Sequence, residues 1–226
     1  MIKNIKKSIL FVLRGTLFRI LYGRLPRPRD YFSFGESVVI SPDCEIEHPG
    51  YVSLGNNVRL EQMVWLIPIL EKSVSNRTPK LIIDEGSSIG RMTVISAINR
   101  VEIGKRVLIG PRVHIADCNH NYEDITQAVY DQGWAEPGQI IIRDQVWIGV
   151  NTVIIASRGK TLEIGRHSVI GANSVVTSSV PDYCVAVGSP ARVIRRYSEQ
   201  SKQWHRVDHD GRQEQMENTG STDMPI

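Results

Sequence analysis

Cysteine is scarce in this chain. Cys44, Cys118 and Cys184 are odd in number and far apart in 226 residues, so they form neither a disulfide framework nor a zinc-ligand spacing. Reduced thiols in a cytosolic compartment are the simplest expectation. Aromatic residues make up only 7% of the chain, which suits a narrow core filled by Ile, Val and Leu. Long hydrophobic runs are also missing. In residues 1–25, Lys3, Lys6, Lys7, Arg14, Arg19 and Arg24 interrupt every apolar stretch, and the longest run is 9–13. That is too short to span a bilayer. Arg14 also breaks the core of any secretory signal. Acid is absent from residues 1–29, which hold eight Lys or Arg, whereas the tail from Glu199 holds six acids against three bases. The net charge of +3 therefore hides an asymmetry between the two ends. No nucleic-acid partner is expected.

What the chain has in abundance is a beat of six. Ile142, Ile148 and Ile154 keep it, as do Ile164, Ile170 and Val176. Upstream it recurs at Leu54, Leu60 and Leu66, at Ile83, Ile89, Ile95 and Val101, and at Ile103, Ile109 and Ile115. Gly149, Gly165 and Gly171 each follow a beat residue directly. The fifth place is small or β-branched at Val58, Thr93, Val107, Val113, Val146, Thr152, Ser168 and Ser174. A period of six fits neither a helix nor a lone amphipathic strand. It fits short strands joined by fixed corners, one apolar residue per side pointing inward, which is an all-β solenoid.

These repeats resemble those of the hexapeptide-repeat acyltransferases, and most closely the bacterial sugar and polysaccharide O-acetyltransferases. The resemblance implies a left-handed parallel β-helix and a homotrimer. Handedness comes from the resemblance, because the usual crossover rule points the other way. Three regions are expected: a basic amphipathic helical segment over 1–30, the β-helix over 31–198, and a polar tail over 199–226 that includes a short helix around 198–207. Two interruptions, residues 68–80 and 116–141, read as excursions from the coil. Met63 and Trp65 are expected to pack in the core or against a neighbouring subunit.

The longer excursion, 116–141, carries the expected chemistry, because long departures from a repetitive scaffold usually do. It holds Asp117-Cys118-Asn119-His120 and, later, Gln132-Gly133-Trp134. The resemblance implies that His120 is the catalytic base. Imidazole suits the task, since it is neutral near pH 7 and takes the proton of an attacking hydroxyl. Asp117 and Asn119 either orient the ring or cap the turn. The resemblance also implies an oxyanion donor, the backbone N–H of Val150, and transfer without an acyl-enzyme. Cys118 beside His120 is a less fitting nucleophile, as transfer out of a thioester needs no thiolate. His114 is expected to point outward toward a neighbouring subunit, and His167 to lie on the surface.

Acetyl-CoA is the implied co-substrate, with no metal. Trp147, Val150, Ala172, Thr177 and Ser178 match positions along the family's cofactor groove, although relatives often carry lysine at the place of Ser178. Arg192 and Arg195 match basic residues near the phosphates, a role that suits bidentate guanidinium. Residues 157–163 add four positions between beats Ile154 and Ile164 and reshape the groove or merely bulge. The expected acceptor is a hydroxyl of a bacterial surface glycan, or of a nucleotide- or lipid-linked sugar precursor. An amino-sugar N-acetyltransferase and a xenobiotic acetyltransferase are the enzymatic alternatives. A zinc protein of the γ-carbonic anhydrase type lacks the histidine spacing it needs, and a non-catalytic solenoid scaffold would not need His120. Residues 1–25 either lie on an anionic membrane surface, as a peripheral protein on the cytoplasmic face would require, or cap the solenoid.

Overall fold

The computed structural model describes residues 26–70, 78–156 and 158–207. The amphipathic segment expected over 1–25 and the end of the tail lie outside the described residues. Between them the chain winds through six coils, each made of three strands of two to four residues. Equivalent strands stack into three sheets, which form the faces of a triangular prism. The first face runs from Ser33–Phe34 to Thr161–Ile164. The second starts at Val39–Ile40, and the third runs from Glu45–Ile46 to Val175–Val176. Within the coils every pairing is parallel. The fold is a left-handed parallel β-helix.

The beat of six explains the register. On the first face Leu54, Ile83, Ile103, Ile142 and Ile164 stand in line. On the second, Leu60, Ile89, Ile109, Ile148 and Ile170 do so. On the third, Leu66, Ile95, Ile115, Ile154 and Val176 follow. None of these side chains is more than 1% exposed. Each such burial contributes about 1.5–3 kcal/mol, so every coil adds three comparable contributions to one continuous core.

The fifth-place residues also point inward, just before each strand. Where they are hydroxyls, their polar atoms are satisfied across the coils. Ser87 Oγ donates to Gly104 O at 2.6 Å and accepts from Val107 N at 2.9 Å. Ser168 Oγ donates to Pro181 O at 2.7 Å and accepts from Cys184 N at 3.1 Å. The corner glycines answer a different need. A Cβ on Gly149 would stand 2.6 Å from Ala172 N in the next coil, a distance no side chain tolerates.

Three expectations need correction. Residues 198–207 form no helix. Ala191–Ser198 turns back antiparallel on Cys184–Gly188, and Gln203–Arg206 pairs antiparallel with it, extending the second face. Tyr197 and Trp204 meet edge-on across this hairpin at 5.5 Å, a cross-strand contact that overrides weak local helix preference. The long excursion is bounded more tightly than expected, at 117–138, because Ala116 and Gln139 already belong to flanking strands. Of the two places expected for Met63 and Trp65, the core is excluded, since they are 54% and 38% exposed in the single chain, and packing against a neighbouring subunit is left. The Trp65 ring reaches out to donate to Glu47 Oε1 at 3.0 Å.

Candidate active site

The departures from the prism share one edge, where the third face passes to the first. Residues 69–70 with 78–80, 98–99, 117–138, 156 with 158–160, and 177–179 all lie there in successive coils. The root of the long excursion is fixed by Asp117, which is 1% exposed. Its carboxylate accepts the N–H groups of Ile98, Asn99 and Arg100 at 2.8, 2.9 and 2.7 Å. On the other side of that turn Lys80, buried, donates to Ile98 O. Burial pushes the Asp117 carboxyl above the ordinary range, and the three N–H donors and Lys80 pull the other way. Asp117 thus ties the excursion to the coil below. Gly138 N closes the ring by donating to Asp117 O at 2.8 Å.

Beyond this root the excursion narrows to a two-stranded neck. Ala135 N donates to Asn119 O at 2.8 Å and Asn121 N to Gly133 O at 3.0 Å. His120 and Trp134 form an antiparallel bridge between these bonds. Their rings stack, with centroids 4.1 Å apart and planes 23° from parallel. His120 is exposed at the surface of the neck. Asn121 locks the geometry, its Nδ2 donating to Gln132 O at 3.2 Å and Trp134 O at 2.9 Å. The tip is tied by Asp124, whose carboxylate takes the Thr126 N–H and hydroxyl and the Gln127 amide. No role for Trp134 or Asn121 was legible in the sequence. The signal for Trp134 was a large aromatic in the same excursion as the imidazole; Asn121 had none beyond its position.

Cys118 is buried beside Ser96, Sγ to Oγ 3.9 Å, and burial pushes its thiol up to about 11. It stays protonated near neutral pH and is a poor nucleophile there. His114 is half-buried on the outer side of the third face between Val94 and Val153. His167 is exposed at a corner.

The remaining candidates fall in two groups. Trp147 lies half-buried on the second face between Leu108 and Val169. Val150 and Ala172 occupy stacked corners between the second and third faces, where Val150 O accepts Asn173 N at 2.9 Å. Thr177 and Ser178 sit instead on the edge that bears the excursions, exposed, one coil beyond residues 156–160. Arg192 and Arg195 belong to the antiparallel strand Ala191–Ser198, the last but one of the second face, opposite Val187 and Val185. His120 and Val150 therefore flank the third face on opposite edges of one chain. Among the described residues no group of three or more His, Cys, Asp or Glu side chains is arranged to hold a metal ion. No helix there is long and apolar enough to cross a membrane.

No protein-family model matches the chain. Individual proteins do. A Mycobacterium tuberculosis protein named as an acetyltransferase is 39% identical over 107 residues, 47% of this chain and 34% of the relative. A lipopolysaccharide-biosynthesis O-acetyl transferase of Escherichia coli is 34% identical over 119 residues, 50% of this chain and 59% of the relative. The galactoside O-acetyltransferase of the same organism is 38% identical over 109 residues, 48% of this chain and 50% of the relative. Over about half of its length the chain is thus similar to proteins named as acetyltransferases. It spans between 34% and 59% of the length of these three proteins. Among solved structures, an N-acyltransferase from Bacillus cereus in complex with dTDP and 3-hydroxybutyryl-CoA shares the fold. It matches 76% of this chain and 87% of its own, at TM-score 0.62 and 23% identity. The hexapeptide-repeat acetyltransferase of Vibrio cholerae matches 84% of this chain and 91% of its own, at TM-score 0.50 and 22% identity.

Proposed function

We propose that the protein is an acetyl-CoA-dependent O-acetyltransferase acting on a hydroxyl of a bacterial surface glycan or its sugar precursor. The observation that carries this reading is an exposed imidazole held on a braced excursion from a hexapeptide coil, in a chain whose relatives include sugar O-acetyltransferases. His120 takes the hydroxyl proton as the oxygen attacks the thioester carbonyl. The Val150 N–H donates to the oxygen that gains charge. A C–O bond forms, the C–S bond breaks, and the departing sulfur takes the proton back from the imidazolium. The products are the acetyl ester and free coenzyme A.

In this scheme the site is shared between subunits. His120 and Val150 stand at opposite edges of one third face, so a neighbour's corner meeting the excursion brings base and donor together. A homotrimer arranges three such sites around its axis. Trp147 and Ala172 then line the cofactor groove, Thr177 and Ser178 border it on the excursion side, and Arg192 and Arg195 meet the phosphates. Asn119, whose backbone carbonyl holds the neck, keeps His120 in place.

An amine acceptor is the second reading, favoured by the nucleotide-sugar N-acyltransferase fold match and by a relative named as a dTDP-3-amino-3,6-dideoxygalactose 3-N-acetyltransferase. The deciding experiment is release of free coenzyme A by the purified protein with hydroxyl-bearing and amine-bearing sugars, beside mass spectrometry of surface polysaccharide from cells with and without the gene. Loss of acetyl esters on gene deletion, with turnover that needs His120, supports the O-acetyl reading. Turnover on amino sugars alone overturns it in favour of the second.

A further inference from the structure

The corner from the third face to the first differs in length between coils. After Val94–Ala97 it takes two residues, Ile98 and Asn99, before Arg100–Ile103 begins. After Val153–Ile155 it takes five, 156–160, before Thr161–Ile164. The longer corner lies one coil beyond the excursion that bears His120, on the same edge. It touches both strands of that excursion. Arg158 Nη2 donates to Asn121 Oδ1 at 2.6 Å and to Glu123 Oε2 at 2.9 Å on the outgoing strand. On the returning strand, the Glu136 carboxylate lies 3.0 Å from where a Gly159 Cβ would be, with Gly159 at φ +59°. The left-handed backbone and the close approach both favour glycine at that place.

We propose that the extended corner exists to position the base, with Arg158 as a positioning residue that fixes the His120–Trp134 stack through Asn121. The path is continuous. Arg158 holds the oxygen end of the Asn121 amide, whose nitrogen end holds the carbonyls of Gln132 and Trp134. The Trp134 ring in turn backs the His120 ring. Asn121 can serve this way only in one orientation of its amide, and the guanidinium selects it. Glu123 secures the guanidinium at 2.9 Å, and the Arg158 bond holds the Glu123 carboxyl below its ordinary range. Both side chains are about half exposed, so this pair contributes little to global stability. Its effect is on where the neck stands. A guanidinium suits the task because one planar fork serves two acceptors, which an ammonium on a flexible stem does less well.

The inference rests on His120 being the base, and the test separates the two. The first arm needs no turnover. In full-length protein labelled at histidine, the His120 ring resonances, assigned by their loss in His120→Ala, carry the shift imposed by the stacked indole. Arg158→Ala is expected to move them toward the positions seen in Trp134→Ala. The second arm is kinetic. Arg158→Ala is expected to lower kcat by no more than the roughly 2- to 12-fold that full loss of the stack would cost, with acetyl-CoA affinity unchanged in a direct titration. Arg158→Lys should restore part of the rate. Asn121→Ala should mimic Arg158→Ala, and the double variant should cost no more than either alone. Thermal melts check that each variant is folded. Unmoved His120 resonances in Arg158→Ala overturn the proposal. So does weakened acetyl-CoA binding at constant kcat, which would make Arg158 a ligand contact instead. If His120→Ala keeps its turnover while the resonances still respond to Arg158→Ala, the catalytic reading fails and the positioning geometry stands.

Discussion

His120 and Trp134 stack face to face across the neck of the excursion, 4.1 Å between ring centroids. The indole covers one side of the exposed imidazole and leaves the other open. An aromatic contact of this kind contributes about 0.5–1.5 kcal/mol, which corresponds to roughly 2- to 12-fold in rate when all of it serves to orient the base. Trp134→Ala is expected to lower kcat within that range and to leave acetyl-CoA affinity unchanged. Trp134→Phe should recover most of the loss. Steady-state release of free coenzyme A beside a cofactor titration reads both quantities.

Removal of the base itself should cost far more. His120→Ala is expected to reduce turnover by ~10²–10⁴-fold, in kcat and kcat/KM together, as for an interaction made mainly in the transition state. The core of the prism owes nothing to this exposed ring, so thermal melts should be close to wild type. His114→Ala is the control and should lose much less rate. Near-normal turnover in His120→Ala would remove it from the mechanism.

Asp117 predicts a different phenotype, instability. Its carboxylate serves three backbone donors at the turn 98–100. Asp117→Ala strands them, at about 1–3 kcal/mol for each buried group left unpaired. A large drop in the urea midpoint is expected, with turnover lost through loosening of the excursion's root. Asp117→Asn keeps acceptor capacity on one oxygen and should fall between.

Acidification should expose His114. Burial holds its imidazole below the ordinary 6.5, and the flanking partners on its strands are Val94 and Val153. The unfolded chain therefore binds the proton more readily than the folded one. The stability tied to the neutral ring is complete above pH 6.5 and is lost as pH falls toward the lower folded value. Melting temperatures measured between pH 7.5 and about pH 5 should fall less steeply for His114→Gln than for wild type. Parallel curves would show that His114 does not drive the dependence.

At the far end of the second face, Arg192→Ala is expected to raise the KM for acetyl-CoA more than it lowers kcat, because phosphate contacts act on ground state and transition state alike. Raised salt should weaken cofactor binding by wild type more than by the variant. An unchanged KM would place the phosphates elsewhere.

Much of this architecture is legible in sequence because the coil is a one-dimensional object. A residue six positions on occupies the equivalent place on the next face, so Ile142, Ile148 and Ile154 declare three faces without knowledge of any long-range contact. The interruptions declare themselves by breaking the count, which is how His120 came to notice. What resisted reading depends on contacts between separate interruptions. Nothing local says that Asp117 caps the turn of the coil below, or that Asn121 reaches Trp134. The terminal hairpin was missed for a related reason. Its strands alternate poorly, and only the meeting of Tyr197 with Trp204 favours extended over helical chain.

That hairpin has a bearing on how the molecule behaves in a crowd. A stack of parallel rungs ends in open amides and carbonyls, and a second copy presenting its own first rung in the same direction is a natural extension of the stack. Here the second sheet ends, among the described residues, in a hairpin whose outermost strand is Gln203–Arg206. Arg195 faces Arg206 and Arg196 faces His205 at this margin. A like copy arriving end to end would meet the concentrated positive charge of Arg195, Arg196 and Arg206. The charge on that hairpin thereby discourages filament growth from that sheet.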